Sequence, residues 1–181
     1  MQRNQIQLRS LRLSDSQLLY EWINNRELVN FNAPYHPVSE AEHKAWFESV
    51  IINRTDLSIF MIEDLSNKCA IGSCQLLNIN SVFRSGEIQI RIGEFNSWNK
   101  GIGTEAIRLL CEFGFRDLNL NRIYLHVFAT NIRAIRVYEK NKFVREGILR
   151  QAAYINNEFV DVVYMGLLKS DYEQSGSNSS A

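Results

Sequence analysis

Apolar and polar residues alternate from Ile6 to Leu11, the period of a half-buried strand, and after that the period lengthens. Ser14 and Gln17 form the pattern that caps a helix start, ahead of Leu18, Leu19, Trp22 and Ile23. Ser39 and Glu42 repeat it just past Pro37 and predict a second helix, with Ala41, Ala45, Trp46 and Val50 as its apolar stripe. Two β-rich runs, Leu57 to Ile62 and Ala70 to Leu77, flank the turn-like Asp64-Leu-Ser-Asn67 and predict a hairpin. Strict alternation returns from Gly86 to Ile92, with Glu87, Gln89 and Arg91 on one face and Ile88, Ile90 and Ile92 on the other. Ala106, Ile107, Leu109, Leu110 and Phe113 have helical spacing within Ile102 to Leu118, and Arg122 to Phe128 alternates again. Asn131 opens a short helix with Ala134, Ile135, Val137 and Tyr138 on its apolar side, and a strand follows from Phe143. The closing strands, Gly147 to Ile155 and Phe159 to Leu168, turn at Asn156-Asn157, residues that tolerate positive φ.

Strands outnumber helices, and one strand–helix–strand unit lies in the middle. The pattern predicts an α+β fold: a mixed, largely antiparallel sheet with a single parallel step, flanked by helices. At 181 residues the chain fits one domain, assigned to residues 1–173, with the small polar stretch Gln174 to Ala181 as a flexible tail. A hydrophobic fraction of 45% supports a sizeable core. Twenty basic residues balance twenty acidic ones, which argues against nucleic acid as a partner. No apolar run approaches the roughly 20 residues of a membrane span, and the N-terminal stretch carries no signal-like segment. Cys69, Cys74 and Cys111 are odd in number and sit in apolar stretches, so they read as buried free thiols in a reducing compartment, the cytoplasm. His36, His43 and His126 are scattered and no C-x-x-C occurs, so no metal site is expected.

Candidate chemistry concentrates after Ile92. Trp98-Asn-Lys-Gly-Ile-Gly-Thr-Glu-Ala106 places two glycines where a loop becomes a helix. The unpaired amides of a helix's first turn, together with its dipole, bind anions, and glycine lets phosphate oxygens approach the backbone. Gly101-Ile-Gly-Thr-Glu-Ala106 also satisfies the dinucleotide fingerprint, but that motif expects an acidic residue roughly 20 positions later and Asn121 stands there. On the residues alone, coenzyme A, a dinucleotide or an empty turn all stay open.

The glycine run followed by Asn131-Ile-Arg-Ala-Ile-Arg-Val-Tyr-Glu-Lys140 and Phe143 resembles the GNAT superfamily of N-acetyltransferases. More narrowly, it is similar to the branch holding ribosomal-protein N-terminal and spermidine N-acetyltransferases. The likeness runs from about Ile6 to Tyr172. It implies a three-layer sandwich whose sheet splays between its fourth and fifth strands, with acetyl-CoA in the split. It implies that Ile90, Arg91 and Ile92 face the pantetheine with backbone groups, and that Trp98, Asn99, Lys100, Gly101, Ile102, Gly103 and Thr104 cradle the pyrophosphate. Asn131 and Ala134 would contact the cofactor, and Tyr138 would be the general acid at sulfur. Two positions depart from the family pattern: Trp98 replaces the usual Gln or Arg, and Lys142 stands where a glycine is usual, so a left-handed turn must fall on Lys142 or Asn141.

Acetyl transfer to an amine requires a neutral nitrogen, a donor to the oxyanion and a proton for the thiolate. Glu87 matches an acidic position of the family and is the candidate base; its alternative is a solvated carboxylate or a partner for Arg91. The Ile92 N–H would serve the oxyanion if the strand bulges there. Trp22, Phe31 and Tyr35 suggest an aromatic wall for a small-molecule acceptor, an amino sugar or polyamine. Glu21, Glu27 and Glu40 could attract a polycation, or be ordinary exposed residues. A protein N-terminus, a non-catalytic acyl-CoA binder and a homodimer complete the expectations.

Overall fold

The computed structural model describes residues 6–52 and 55–177. Seven strands form one sheet: β1 (Ile6–Ser10), β2 (Ser58–Asp64), β3 (Cys69–Asn80), β4 (Ser85–Ile92), β5 (Arg122–Phe128), β6 (Val144–Ile155) and β7 (Glu158–Leu168). Their spatial order is β1-β2-β3-β4-β5-β7-β6. Every pairing is antiparallel except β4–β5, which is parallel. That parallel pair is joined only from Ser85–Glu87 to Arg122–Tyr124, after which the two strands part. The α+β reading and the splayed parallel pair are both present.

Helices cover both faces. On one side lie α1 (Ser16–Asn24), α2 (Arg26–Val29) and α3 (Glu40–Ile51), which form a core of Leu19, Trp22, Leu28, Phe47 and Met61. On the other lie α4 (Ile102–Glu112), α5 (Ile132–Lys140) and α6 (Lys169–Ser177), over a larger core that includes Ile62, Ile88, Ala106, Ile107, Leu110, Phe115, Ile123 and Leu125. Met61 and Ile62, both fully buried, belong to opposite cores because successive strand side chains point to opposite faces. The Asn156-Asn157 turn has φ of 51° and 66°, as the sequence predicted.

Several local expectations are corrected. The first helix is not opened by Ser14 and Gln17: Asp15 accepts from the Arg12 N–H at 2.7 Å, and a short 3-10 turn at Leu13–Asp15 leads into α1. Asp15 also takes both Arg9 nitrogens at 2.8 Å, so an ion pair anchors this entry. Ser39 does cap α3 through the Glu42 N–H, but the buried stripe is His43 and Phe47, with Ala41, Ala45 and Trp46 exposed. The His43 Nε2 finds the Ser16 carbonyl at 2.8 Å, which lets a polar ring serve as core. Cys74 and Cys111 are buried, whereas Cys69 is exposed. The last strand continues into α6, so residues 174–177 of the expected tail are helical, and 178–181 lie outside the described residues.

Candidate active site

The split in the sheet exposes backbone. Gly93 N–H bonds to the Ile71 carbonyl at 2.9 Å, so residues 71 and 93 form a hydrogen-bonded pair of the β3–β4 ladder. In an antiparallel ladder such pairs alternate, so the N–H and C=O groups of Ile92 and Ile90 turn away from β3 toward the gap where β5 has departed. The two carbonyls are met there by side chains: Asn32 Nδ2 reaches Ile90 O at 3.1 Å and Trp98 Nε1 reaches Ile92 O at 3.0 Å. The register is unbroken through Gly72–Ile92, so the expected bulge at Ile92 is absent. The irregularity comes one step later, where Gly93 and Glu94 both donate to Ile71 O.

Beyond it the chain turns into the glycine loop. Gly101 takes φ of 79° at the N-cap of α4, a conformation that costs little only without a Cβ. Gly103 has no such requirement, and a Cβ there would meet nothing nearer than Val137 at 3.9 Å. Its bare backbone therefore serves the space in front of the helix, not the protein's packing. A cavity of about 480 Å³ occupies that space. It is lined by Ile90, Arg91, Ile92, Trp98, Asn99, Gly101, Ile102, Gly103, Thr104, Asn131, Ala134 and Tyr138, which is every cofactor residue expected from the sequence except Lys100.

Residues that sequence reasoning missed also line it: Arg133, Arg136 and Lys140 on one side of α5. Their spacing of three and four residues was the available signal for a basic helix face. The Arg133 guanidinium lies 3.5 Å from the Trp98 ring centroid and 5.0 Å from that of Phe31, and burial pushes its pKa below the ordinary value. Asn131 caps α5 by accepting from the Ala134 N–H, and its Nδ2 donates to Phe31 O at 3.0 Å. Its amide thus ties the 30–35 segment to α5. Lys142 carries the left-handed turn after α5, with φ of 67°.

A second cleft of about 730 Å³ lies on the α1–α3 side of the sheet. Glu87, Gln89 and Arg91 line it, together with Ser73, Gln75, His126, Trp46, Val38, Glu42, Leu149 and Ala153 among others. The two cavities share Phe31, Asn32, Ile90, Arg91 and Tyr138. Tyr138 is 6% exposed, packs edge-on to Phe143, and burial pushes its hydroxyl pKa up. Glu87 is neither solvated nor paired with Arg91. It accepts from Asn78 Nδ2 at 3.0 Å and faces His126 Nδ1 at 3.3 Å. His126, which the sequence left without a role, is placed there by the parallel β4–β5 pairing, and it meets Tyr164 of β7 edge-on.

Two expected wall residues are elsewhere. Trp22 is 4% exposed in the smaller core, its ring covering Gly93 so closely that any Cβ there would overlap it, with Nε1 on Glu94. Tyr35 turns its hydroxyl to the Asn24 carbonyl beneath the Arg26 guanidinium. Neither lines either of these two cavities, and Phe31 lines both. Among the described residues there is no cluster of potential metal ligands.

Comparison with known proteins agrees with this geometry. Residues 5–144 match the acetyltransferase (GNAT) domain. A spermidine N(1)-acetyltransferase of Vibrio cholerae is 34% identical, over 93% of this chain and 96% of its own length. A putative ribosomal N-acetyltransferase of Bacillus subtilis is 37% identical over a shorter stretch, 56% of this chain and 55% of its own. The crystal structure of the Vibrio cholerae spermidine N-acetyltransferase in complex with CoA and spermine superposes with a TM-score of 0.86 at 32% identity, covering 93% of this chain and 98% of that one. The chain belongs to the GNAT family and is an acetyl-CoA-dependent N-acetyltransferase.

Proposed function

We propose that the protein acetylates the primary amine of a small molecule by direct attack, with Tyr138 as general acid and Glu87 as general base. The observation that carries this reading is the meeting of two cavities at Tyr138, one walled by phosphate-binding features and the other by polar strand side chains. The first fits coenzyme A. The α4 amides, with the bare Gly103 backbone, would hold the pyrophosphate, and Arg133, Arg136 and Lys140 add positive charge for phosphates. Bound there, acetyl-CoA supplies an activated acyl group. The Ile92 N–H, turned toward the split, would donate to the acyl oxygen.

Amines are mostly protonated near neutral pH, so the acceptor must lose a proton before it attacks. Glu87 receives it, directly or through a water, and Asn78 and His126 fix the carboxylate's orientation. Burial keeps the Tyr138 phenol neutral, so its proton is present when sulfur departs, and the same apolar surroundings raise the basicity of the thiolate.

The relatives' names offer spermidine as one acceptor class, and Gln75, Glu87 and Gln89 in the cleft offer hydrogen bonds to an amino sugar as a second. A peptide N-terminus is the alternative carried by the ribosomal-type relative. The test is thiol release from acetyl-CoA with polyamines, amino sugars and short peptides: turnover with a small amine supports the proposal, and turnover with peptides alone replaces it. The cytoplasm is the compartment in this reading, since acetyl-CoA and the buried free thiols Cys74 and Cys111 both belong there. A homodimer is part of it as well, supported by exposed Val144, Ile148, Leu149 and Tyr154 on the edge strand β6.

A further inference from the structure

Arg91 is the least satisfied charge among the described residues. Its Nε is sealed from solvent without a hydrogen-bond partner, the only buried side-chain nitrogen or oxygen among them in that state. Burial is the sole influence on its pKa, which it lowers; no carboxylate lies close enough to oppose it. The residue as a whole is half-buried, so the unmet demand falls on the sealed Nε–H, a donor that an incoming acceptor would satisfy. Its strand partner Ser73 and, beyond that, Met61 share its face of the sheet, so the guanidinium belongs to the α1–α3 side, the side of the larger cleft.

The rest of that cleft suits a polycation poorly. The carboxylates that line it are Glu42 and Glu87, and Glu87 already faces His126. Glu21, Glu27 and Glu40 do not line it. A molecule carrying several ammonium groups would meet an unpaired guanidinium with little negative charge to offset the repulsion. Glu87 and Arg91 stand four residues apart on one strand face, about 13–14 Å between Cα atoms at ~3.4 Å per residue. Both line the same cleft, so one small molecule lying along the strand can reach both.

We propose that Arg91 is a specificity residue: the acceptor carries an anionic group, a carboxylate or a phosphate ester, that pairs with the guanidinium while its amine lies toward Glu87 and Tyr138. This rests on the reading of the larger cleft as the acceptor site. A planar guanidinium holds either anion through paired N–H donors, and such charge-assisted bonds are the strong ones. The sealed Nε–H without a partner is then a feature of the protein without its acceptor.

Matched pairs of amines that differ only by the anion test it: putrescine against ornithine, and glucosamine against glucosamine 6-phosphate, with spermidine alongside. Turnover is measured by thiol release, and binding by calorimetry on the CoA-saturated protein, for the parent, Arg91→Gln and Arg91→Lys. The anion-bearing member of at least one pair is expected to win by roughly tenfold or more in kcat/KM and in Kd, the worth of one charge-assisted pairing. Arg91→Gln should erase that preference and Arg91→Lys should retain part of it; acetyl-CoA affinity is measured alongside, because Arg91 lines both cavities.

Equal or better use of the anion-free amines, or a preference that survives Arg91→Gln, would overturn the proposal. So would weakened acetyl-CoA binding in Arg91→Gln, which would assign the guanidinium to the cofactor. Anion-dependent binding lost in Arg91→Gln, without thiol release from any amine, would uphold the pairing and remove the transfer reading instead.

Discussion

Glu87 illustrates how far a single position can be read. Alternation put it on the polar face of its strand and left its partner open; Arg91 shares that face, but the carboxylate meets His126 and Asn78. The reason is topological. The parallel step sets β5 beside β4 only at the start of the strand, within reach of Glu87, and a sequence does not print which strand lies next to which. Glu87→Gln should lower turnover by about 10²–10⁴-fold and remove the acidic limb of the pH–rate profile that the carboxylate produces. A parent-like profile would take the base role from it. Lys142 is a second residue-scale case. The sequence left its left-handed turn between two positions, and the structure puts it on Lys142, where a Cβ is unfavourable. Lys142→Gly should stabilise the protein by about 0.5–1 kcal/mol in urea unfolding, once glycine's extra chain entropy is subtracted.

Elements were legible where periodicity was strong. The strands are present close to their predicted bounds, except that the strand from Phe143 and that of Gly147 to Ile155 are one, β6; the helices after Ser39, Gly101 and Asn131 are present too, α4 ending at Glu112 short of the predicted Leu118. The faces of short helices were less legible. In α3 a count of apolar residues favoured Ala41, Ala45 and Trp46, while packing chose His43 and Phe47 because the Ser16 carbonyl could satisfy the imidazole. The aromatic wall failed similarly, since Trp22 is spent covering Gly93 and only Phe31 reaches the cavities. The glycine loop opens α4 where the sequence put a helix start, and its requirements are local: a positive φ at Gly101 and open space at Gly103. Gly103→Val tests that element without disturbing the turn. Its side chain would fill the front of α4, so acetyl-CoA binding should fall below detection in calorimetry while the melting temperature stays near the parent's. Binding at parental affinity would remove the cradle from the account.

At the scale of the whole molecule, the fold holds two sheet faces around one gap. The entry to the α1–α3 layer depends on charge: Arg9 joins Asp15 on the way into α1 to Glu63 on β2, with contacts of 2.8 and 2.6 Å. Burial raises the Asp15 pKa, but hydrogen bonds from Arg9 and Arg12 outweigh it and hold the group below the ordinary carboxylate range. Bonds from Gln7 and Arg9 do the same for Glu63. Carboxylates depressed in the folded state add stability that is present above the unfolded pKa of about 4 and is lost as pH falls through the folded value. The melting temperature should therefore hold until pH drops below about 4, then fall. In Arg9→Gln it should be lower at neutral pH and fall less as the pH drops, because the depression that Arg9 supplies to both carboxylates is gone. Identical acid limbs would show that the network does not link the layers.

The central claim is that the two cavities meet at one acid, and Tyr138→Phe tests it most directly. The substitution removes a single oxygen from a residue whose ring otherwise packs against Phe143. Turnover with the best amine should fall by about 10²–10⁴-fold, the range for loss of a positioned general acid, with acetyl-CoA affinity unchanged in calorimetry. Parental turnover in Tyr138→Phe, with the fold intact, would contradict it.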